Sequence, residues 1–221
     1  MPGTVPYGRV MALVRNPLFA RWFALAGARN EERGNRDLRR ELLSRLSGQV
    51  IEVGVGTGLN LPHYPASVKE VLAVEPEPFL RTKATAAAQD APVPVRVVDG
   101  LADAIPVADE SADAVAVSGL LCSVADPQAA LLEFHRVLRP GGVLRFYEHV
   151  VSRDPLFALA QQAEDIVWPR LMGGCHPHRD TLTSIKEIFT VEHVRGFRFP
   201  TGARFSPVGP RILGSARKVS R

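Results

Sequence analysis

The sequence predicts an α/β protein, a doubly wound and mostly parallel sheet of seven strands preceded by an N-terminal helical arm. Three observations carry that expectation. From residue 49 onward, short apolar runs alternate with amphipathic stretches of helical period, the order expected when parallel strands are joined by crossover helices. The runs are apolar on both faces, as in a sheet covered on both sides. The first of them ends in "EVGVGTG", which places glycines at alternate positions directly after a strand.

Taken in order, "NPLFARWFALAG" opens the arm. Asn16 is placed to cap a helix, Pro17 to occupy its first position and Gly27 to end it, and Leu18, Phe19, Trp22, Phe23 and Ala26 then share a face. "RDLRRELLSRLSG" predicts a second helix with Leu38, Leu42, Leu43 and Leu46 on one stripe, ending at Gly48. Strands are expected near 49–54, 70–75, 93–98, 112–118 and 143–149, with helices near 57–64, 77–90, 127–138 and 155–170. Beyond them, 187–218 carries short alternating runs ("FTVEHV", "RILGSARKV") broken by Pro200, Pro207 and Pro210, which suggests closing, antiparallel strands. At 221 residues and 46% hydrophobic, the chain can bury one sizeable core. We expect one domain, with residues 1–48 as an arm or lid on the body 49–221.

Charge narrows the partners. Residues 1–45 hold nine arginines against four acids, a balance of +5, so the +4 total leaves −1 for the rest. The basicity belongs to the arm, and no basic stripe interleaved with aromatics runs through the body, so no nucleic-acid partner is expected. Arg9, Arg15, Arg21 and Arg29 interrupt the N-terminal hydrophobics before they reach the roughly 18 to 20 residues of a membrane span. Contact with a membrane would be peripheral at most. Two cysteines, Cys122 and Cys175, are too few for a disulfide framework, and a reducing cytoplasm is the expected location.

In a doubly wound sheet, ligands sit at the carboxyl ends of the strands where the strand order reverses, and the first strand-to-helix turn touches them. Gly54, Gly56 and Gly58 fall on that turn. A dinucleotide fingerprint needs a glycine at position 59, which is Leu59. Glu52, at the strand end, is a poor neighbour for a pyrophosphate but a good one for a cation. S-adenosylmethionine, with a sulfonium and an ammonium against one carboxylate, suits an acid beside a tight glycine turn. The plain alternative is a tight turn with a glutamate at the core edge. Glu75, 23 residues after Glu52 at the end of "VLAVEPEP", is placed to accept from ribose hydroxyls.

"VVDGLADAIPVADESADAVAVS" and "LLEFHRVLRPGGVLRFYE" complete a pattern that resembles the Rossmann-like class I methyltransferases. "LLCSV", "EHV", "QQ", "GC" followed by "RDT", and "PVGPRILGSARK" are similar to the alkyl-thiol methyltransferases, whose animal members are membrane-associated. The resemblance spans about residues 50 to 218 and implies S-adenosylmethionine as cofactor and a small, hydrophobic thiol as acceptor. It also implies cofactor contacts from Glu52, Gly54, Gly56, Gly58, Asn60, Glu75 and Pro76, and from the backbone around Gly100, Leu101, Ala102, Ser118 and Gly119. Two departures stand out. Where many class I enzymes carry an aspartate to read adenine, this chain has Leu101, between Asp99 and Asp103, and the long hydrophobic anchor of the animal proteins is replaced by the short arginine-punctuated arm.

A thiol acceptor is partly ionised at neutral pH and needs position more than it needs a base. His149, at the end of the fifth strand, is either a polar group near the acceptor or a histidine bonded to backbone. Cys122 is either functional or a small buried hydrophobe. Both are catalytic candidates. "GGCHPHRDT" groups Cys175, His176 and His178 without the spacing of a zinc finger, so it reads as a substrate-side loop and no metal site is expected. Cys175 and His178 there, and Phe19, Trp22 and Phe23 on the arm, are the candidate acceptor contacts. His63 and His135 read as structural. Two other functions share this core: N- or O-methylation of a lipid headgroup, quinone or phenolic metabolite, and cofactor binding without catalysis.

Overall fold

The computed structural model describes residues 17–200, 202 and 205–219. The expected cap Asn16 and the first residues of the arm lie outside them. A single seven-stranded sheet runs in the order β3-β2-β1-β4-β5-β7-β6, formed by β1 (Gly48–Val53), β2 (Val68–Val74), β3 (Val95–Val98), β4 (Ala112–Ser118), β5 (Leu138–His149), β6 (Thr190–Arg198) and β7 (Pro210–Arg217). Neighbours from β3 to β5 pair parallel, and β7 is antiparallel to both β5 and β6, as the proline-broken end of the sequence suggests. The strand order reverses between β1 and β4.

Alternation along each strand explains the two layers of core. Ile51 and Val53, Leu72 and Val74, Val115 and Val117 face one side. Val50, Val71 and Ala73, Ala114 and Ala116 face the other, where Leu42, Leu43 and Leu46 cover them. Both faces being apolar, helices must cover both.

Those helices are α1 (Pro17–Asn30), α2 (Arg36–Leu43), α3 (Pro78–Ala88), α4 (Pro127–Val137), α5 (Pro155–Glu164), α6 (Trp168–Leu171) and α7 (Thr181–Ile188). Three begin with an acid followed by proline. Glu77, Asp126 and Asp154 each accept a backbone N–H of the first turn while the proline supplies a preset φ and needs no partner for its missing N–H.

Five local expectations are corrected. The second helix, expected to carry Leu46 and end at Gly48, stops at Leu43, and Gly48 opens β1. Gly27 does not end α1 but lies within it, where a Cβ would stand 3.0 Å from Leu59 Cδ1; the glycine marks a close approach, and the chain turns at Gly34 instead, at φ 100°. The helix expected over 57–64 shrinks to one 3₁₀ turn, Leu61–His63, because Gly58 is left-handed and Pro62 follows. The helix expected over 155–170 breaks into α5 and α6, since Pro169 has no N–H with which to continue it. α7 falls where no helix was expected. No helix of the described residues is long and apolar enough to cross a membrane.

Candidate active site

Three connections leave the carboxyl ends of β1, β2 and β4 side by side. The first carries Gly54, Gly56 and Gly58, all left-handed. At Gly56 (φ 60°), which only glycine adopts readily, a Cβ would meet the Phe23 ring at 3.2 Å; at Gly54 it would meet Leu120 Cδ1 at 2.8 Å. One bare turn thus makes room for a ring of the arm and for a side chain of the loop after β4.

Glu75 sits beneath this turn and is 6% exposed. Its Oε2 accepts from the Gly56 N–H at 2.9 Å and its Oε1 from the Glu77 N–H at 3.0 Å, so one acid ties the first connection to the second. Each oxygen keeps a second lone pair. Burial raises its pKa. Glu52 is also buried, with Oε1 taking the Asn60 amide at 2.7 Å and Oε2 the Tyr64 hydroxyl at 2.8 Å. Burial outweighs these bonds and pushes Glu52 up to about 7. Arg39 links this pair to the arm, donating to Asn60 Oδ1 and to Glu31 Oε1, both at 2.7 Å.

Around Gly100, Leu101 is buried and bridges to Ala104, while Ala102 is partly covered. Asp99 is an exposed acid paired with Arg81 at 3.1 Å, and Arg81 also donates to the carbonyls of Glu75 and Pro76. Asp103 is exposed. After β4, Gly119 is left-handed and donates to the Tyr147 carbonyl, which carries the chain from Ser118 into the loop 120–124.

That loop rests on a residue the sequence reading passed over. Glu148 is fully buried and accepts from the Leu120 N–H at 2.9 Å and the Cys122 N–H at 3.4 Å; burial raises its pKa well above the usual range. An acid amid "RFYEH" was its only signal. Arg179 braces the same loop through the carbonyls of Leu121 and Val124, and Gln161 knits Ser152, Pro177 and Pro207 together.

Cys122, His149 and Cys175, three separate candidates in the sequence, meet here. Cys122 Sγ lies 3.5 Å from His149 Nδ1, Cys175 Sγ lies 3.4 Å from the same nitrogen, and the sulfurs are 3.8 Å apart. The bond with Cys175 and burial push the Cys122 thiol up. His178 shares the loop of Cys175 but not this triangle, and His176 pairs with Asp165 instead. His135 packs against Phe189 with the rings tilted at 59°, as a structural residue would.

α1 spans the top. Phe19 lies 5.7 Å from Phe23 and 5.9 Å from Trp22, ring centre to ring centre. A Cβ on Gly173 would come within 2.3 Å of the Phe19 ring. The arm therefore places one ring on the Gly56 turn and another on the loop that carries Cys175. A cleft of about 580 Å³ on the outer flank, between Leu25, Leu59 and Phe79, contains none of the candidate residues; position at the strand ends outweighs its size.

The left-handed glycine turn, bare of side chains, and a buried acid with spare lone pairs beneath it fit S-adenosylmethionine. Comparison with known proteins agrees. The profile of the family described as "Methyltransferase domain" matches residues 51–146. The human thiol S-methyltransferase TMT1B is 33% identical, with 91% of this chain and 88% of that protein covered. The human thiol S-methyltransferase TMT1A is 33% identical over 81% of this chain and 78% of its own length. Among solved structures, a putative methyltransferase from Bacillus halodurans superposes with a TM-score of 0.68, covering 85% of this chain and all of that one at 18% identity, a likeness of fold.

Proposed function

The chain belongs to the class I S-adenosylmethionine-dependent methyltransferases, and from that premise we propose that it methylates a small, apolar thiol at sulfur. The observation that carries the acceptor class is the 33% identity to a thiol S-methyltransferase across 88% of that protein, a span that takes in both halves of the sheet.

S-adenosylmethionine supplies an electrophilic methyl group on sulfonium. In this reading the Gly54–Gly58 backbone and Glu52 hold its methionyl end, Asn60 holds Glu52 in place, and Glu75 takes the ribose hydroxyls. Gly100, Leu101, Ala102 and the Ser118–Gly119 backbone flank the adenine. The acceptor thiol gives its proton to solvent, its sulfur forms the new carbon–sulfur bond as the sulfonium bond breaks, and a thioether and S-adenosylhomocysteine leave. α1 acts as a lid whose Phe19, Trp22 and Phe23 line the acceptor side and exclude water. Residues 1–48 serve the same domain as 49–221, and a reducing cytoplasm suits a site with two free thiols.

The experiment is a panel. Purified protein with labelled S-adenosylmethionine and a set of thiols, amines and phenols should transfer label to apolar thiols. Labelled amines or phenols with every thiol inert would refute the acceptor assignment.

A further inference from the structure

We propose that Cys122, His149 and Cys175 form a site for a soft divalent cation of the zinc class, with three protein ligands and a fourth position that takes the acceptor's thiolate. The second half of this statement rests on the thiol reading above; the first does not.

Geometry carries the site. A tetrahedral ion with metal–sulfur bonds of about 2.3 Å and a metal–nitrogen bond of about 2.0 to 2.1 Å sets its ligands about 3.8 Å apart between sulfurs and about 3.6 Å between sulfur and nitrogen. The observed triangle is 3.8, 3.5 and 3.4 Å. Two-centre hydrogen bonds satisfy at most two of its three sides at once. An imidazole nitrogen offers one lone pair or one proton, yet Nδ1 faces both sulfurs at similar distance. A cation between the three atoms satisfies all of them at once.

The surroundings hold the ligands in place without using them. Glu148 takes the Cys122 N–H, the His176 N–H donates to the Cys122 carbonyl at 2.8 Å, and the Thr181 hydroxyl donates to the His149 carbonyl at 3.3 Å. Gly174 lets the Cys175 loop press against the Ser123 carbonyl, where a Cβ would come within 2.8 Å. The two cysteines are buried and the histidine is partly open, so the cluster has one approachable side. Two thiolates neutralise a divalent cation, and three protein ligands leave one coordination position, the arrangement of zinc sites that bind substrate rather than staple a fold. Thiolate is the ligand such an ion prefers, and a thiol entering there leaves its proton in solvent.

The test is made on the whole protein, purified without chelator and then reconstituted with Co²⁺. The expected result is about one zinc per chain as isolated, and on cobalt loading a thiolate-to-metal charge-transfer band with the intense visible bands of a tetrahedral site. Cys122→Ser and Cys175→Ser should each weaken cobalt binding by about tenfold or more. Calorimetric binding of S-adenosylmethionine by the same variants shows that they fold. Adding a small alkyl thiol to the cobalt form should raise the charge-transfer intensity by about half, as two thiolates become three. Absence of zinc and cobalt binding in protein that binds S-adenosylmethionine, or a Cys122–Cys175 disulfide in the isolated protein, overturns the site. A cobalt spectrum indifferent to thiol overturns the fourth position. Thiol methylation by metal-free protein would remove the ion's role and leave the acceptor assignment intact; a thiol-responsive cobalt spectrum in a protein that methylates no thiol does the reverse.

Discussion

Replacing Glu52 by glutamine should change how folding stability depends on pH. Glu52 is buried, and desolvation raises its pKa from 4.5 to about 7. Between those values the native state binds a proton that the unfolded chain has released, so stability falls as pH rises. The contribution is fully present below about pH 4.5 and gone above about pH 7. At 1.36 kcal/mol per unit, the loss between about pH 5 and about pH 8 is about 2.5 kcal/mol. Glutamine fills the same volume and cannot ionise. Its carbonyl keeps the Asn60 bond, while its amide faces the Tyr64 hydroxyl, which changes the level of stability by about 1 kcal/mol at every pH and leaves the slope alone. Urea unfolding of both proteins at the two pH values, followed by tryptophan fluorescence, gives the comparison. Glu75 and Glu148 also have raised pKa values, and Glu41, held down by its bond to Arg195, has the opposite sign. All three are common to both proteins and cancel in the difference. Parallel pH profiles for wild type and Glu52→Gln would show that the Glu52 carboxyl is not held neutral by the fold.

Glu75→Ala should weaken S-adenosylmethionine binding by about 1 to 3 kcal/mol, the scale of a lost charged hydrogen bond, as read by calorimetry. Gly173→Ala puts a Cβ into the Phe19 ring at a φ of 59°, so it should cut methyl transfer at least about tenfold while cofactor affinity stays within several fold. Adding Phe19→Ala to Gly173→Ala removes that clash, and the double variant should be non-additive by about 1 kcal/mol or more in thermal unfolding. Deleting residues 1–30 should have the kinetic signature of Gly173→Ala; unchanged turnover would show that the arm is no lid.

Much of the architecture was legible because its signals are local. Alternating apolar runs, the acid and glycines of residues 52–58, and Glu75 all announce themselves within a few neighbouring residues. What escaped depends on contacts made across the chain. Gly27 looks like a helix end until Leu59 is seen beside it. α7 begins with a capping Asp180 but is short and rich in threonine, which weakens the helical pattern. The three atoms of the sulfur–nitrogen cluster come from positions 27 and 26 residues apart. A search of local spacing therefore paired Cys175 with His176 and His178, and only the strand order brings Cys122 and His149 to it. Glu148 was hidden for a related reason: a strand-end acid shows its purpose only once the loop whose N–H groups it holds is in place.

β7 follows β6 in the chain yet lies inside the sheet, between β5 and β6. A chain cut after residue 200 would lose an interior strand, not an edge. β6 would have no neighbour, and the end of β5, where His149 lies opposite Arg211, would have no partner on that side. The half of the sheet built from β1 to β4 would keep all its pairings, since none of them reaches β7. The two halves thus depend on different stretches of sequence, and a truncated product would keep the strands that carry the glycine turn paired while the strand that ends at His149 lost a neighbour.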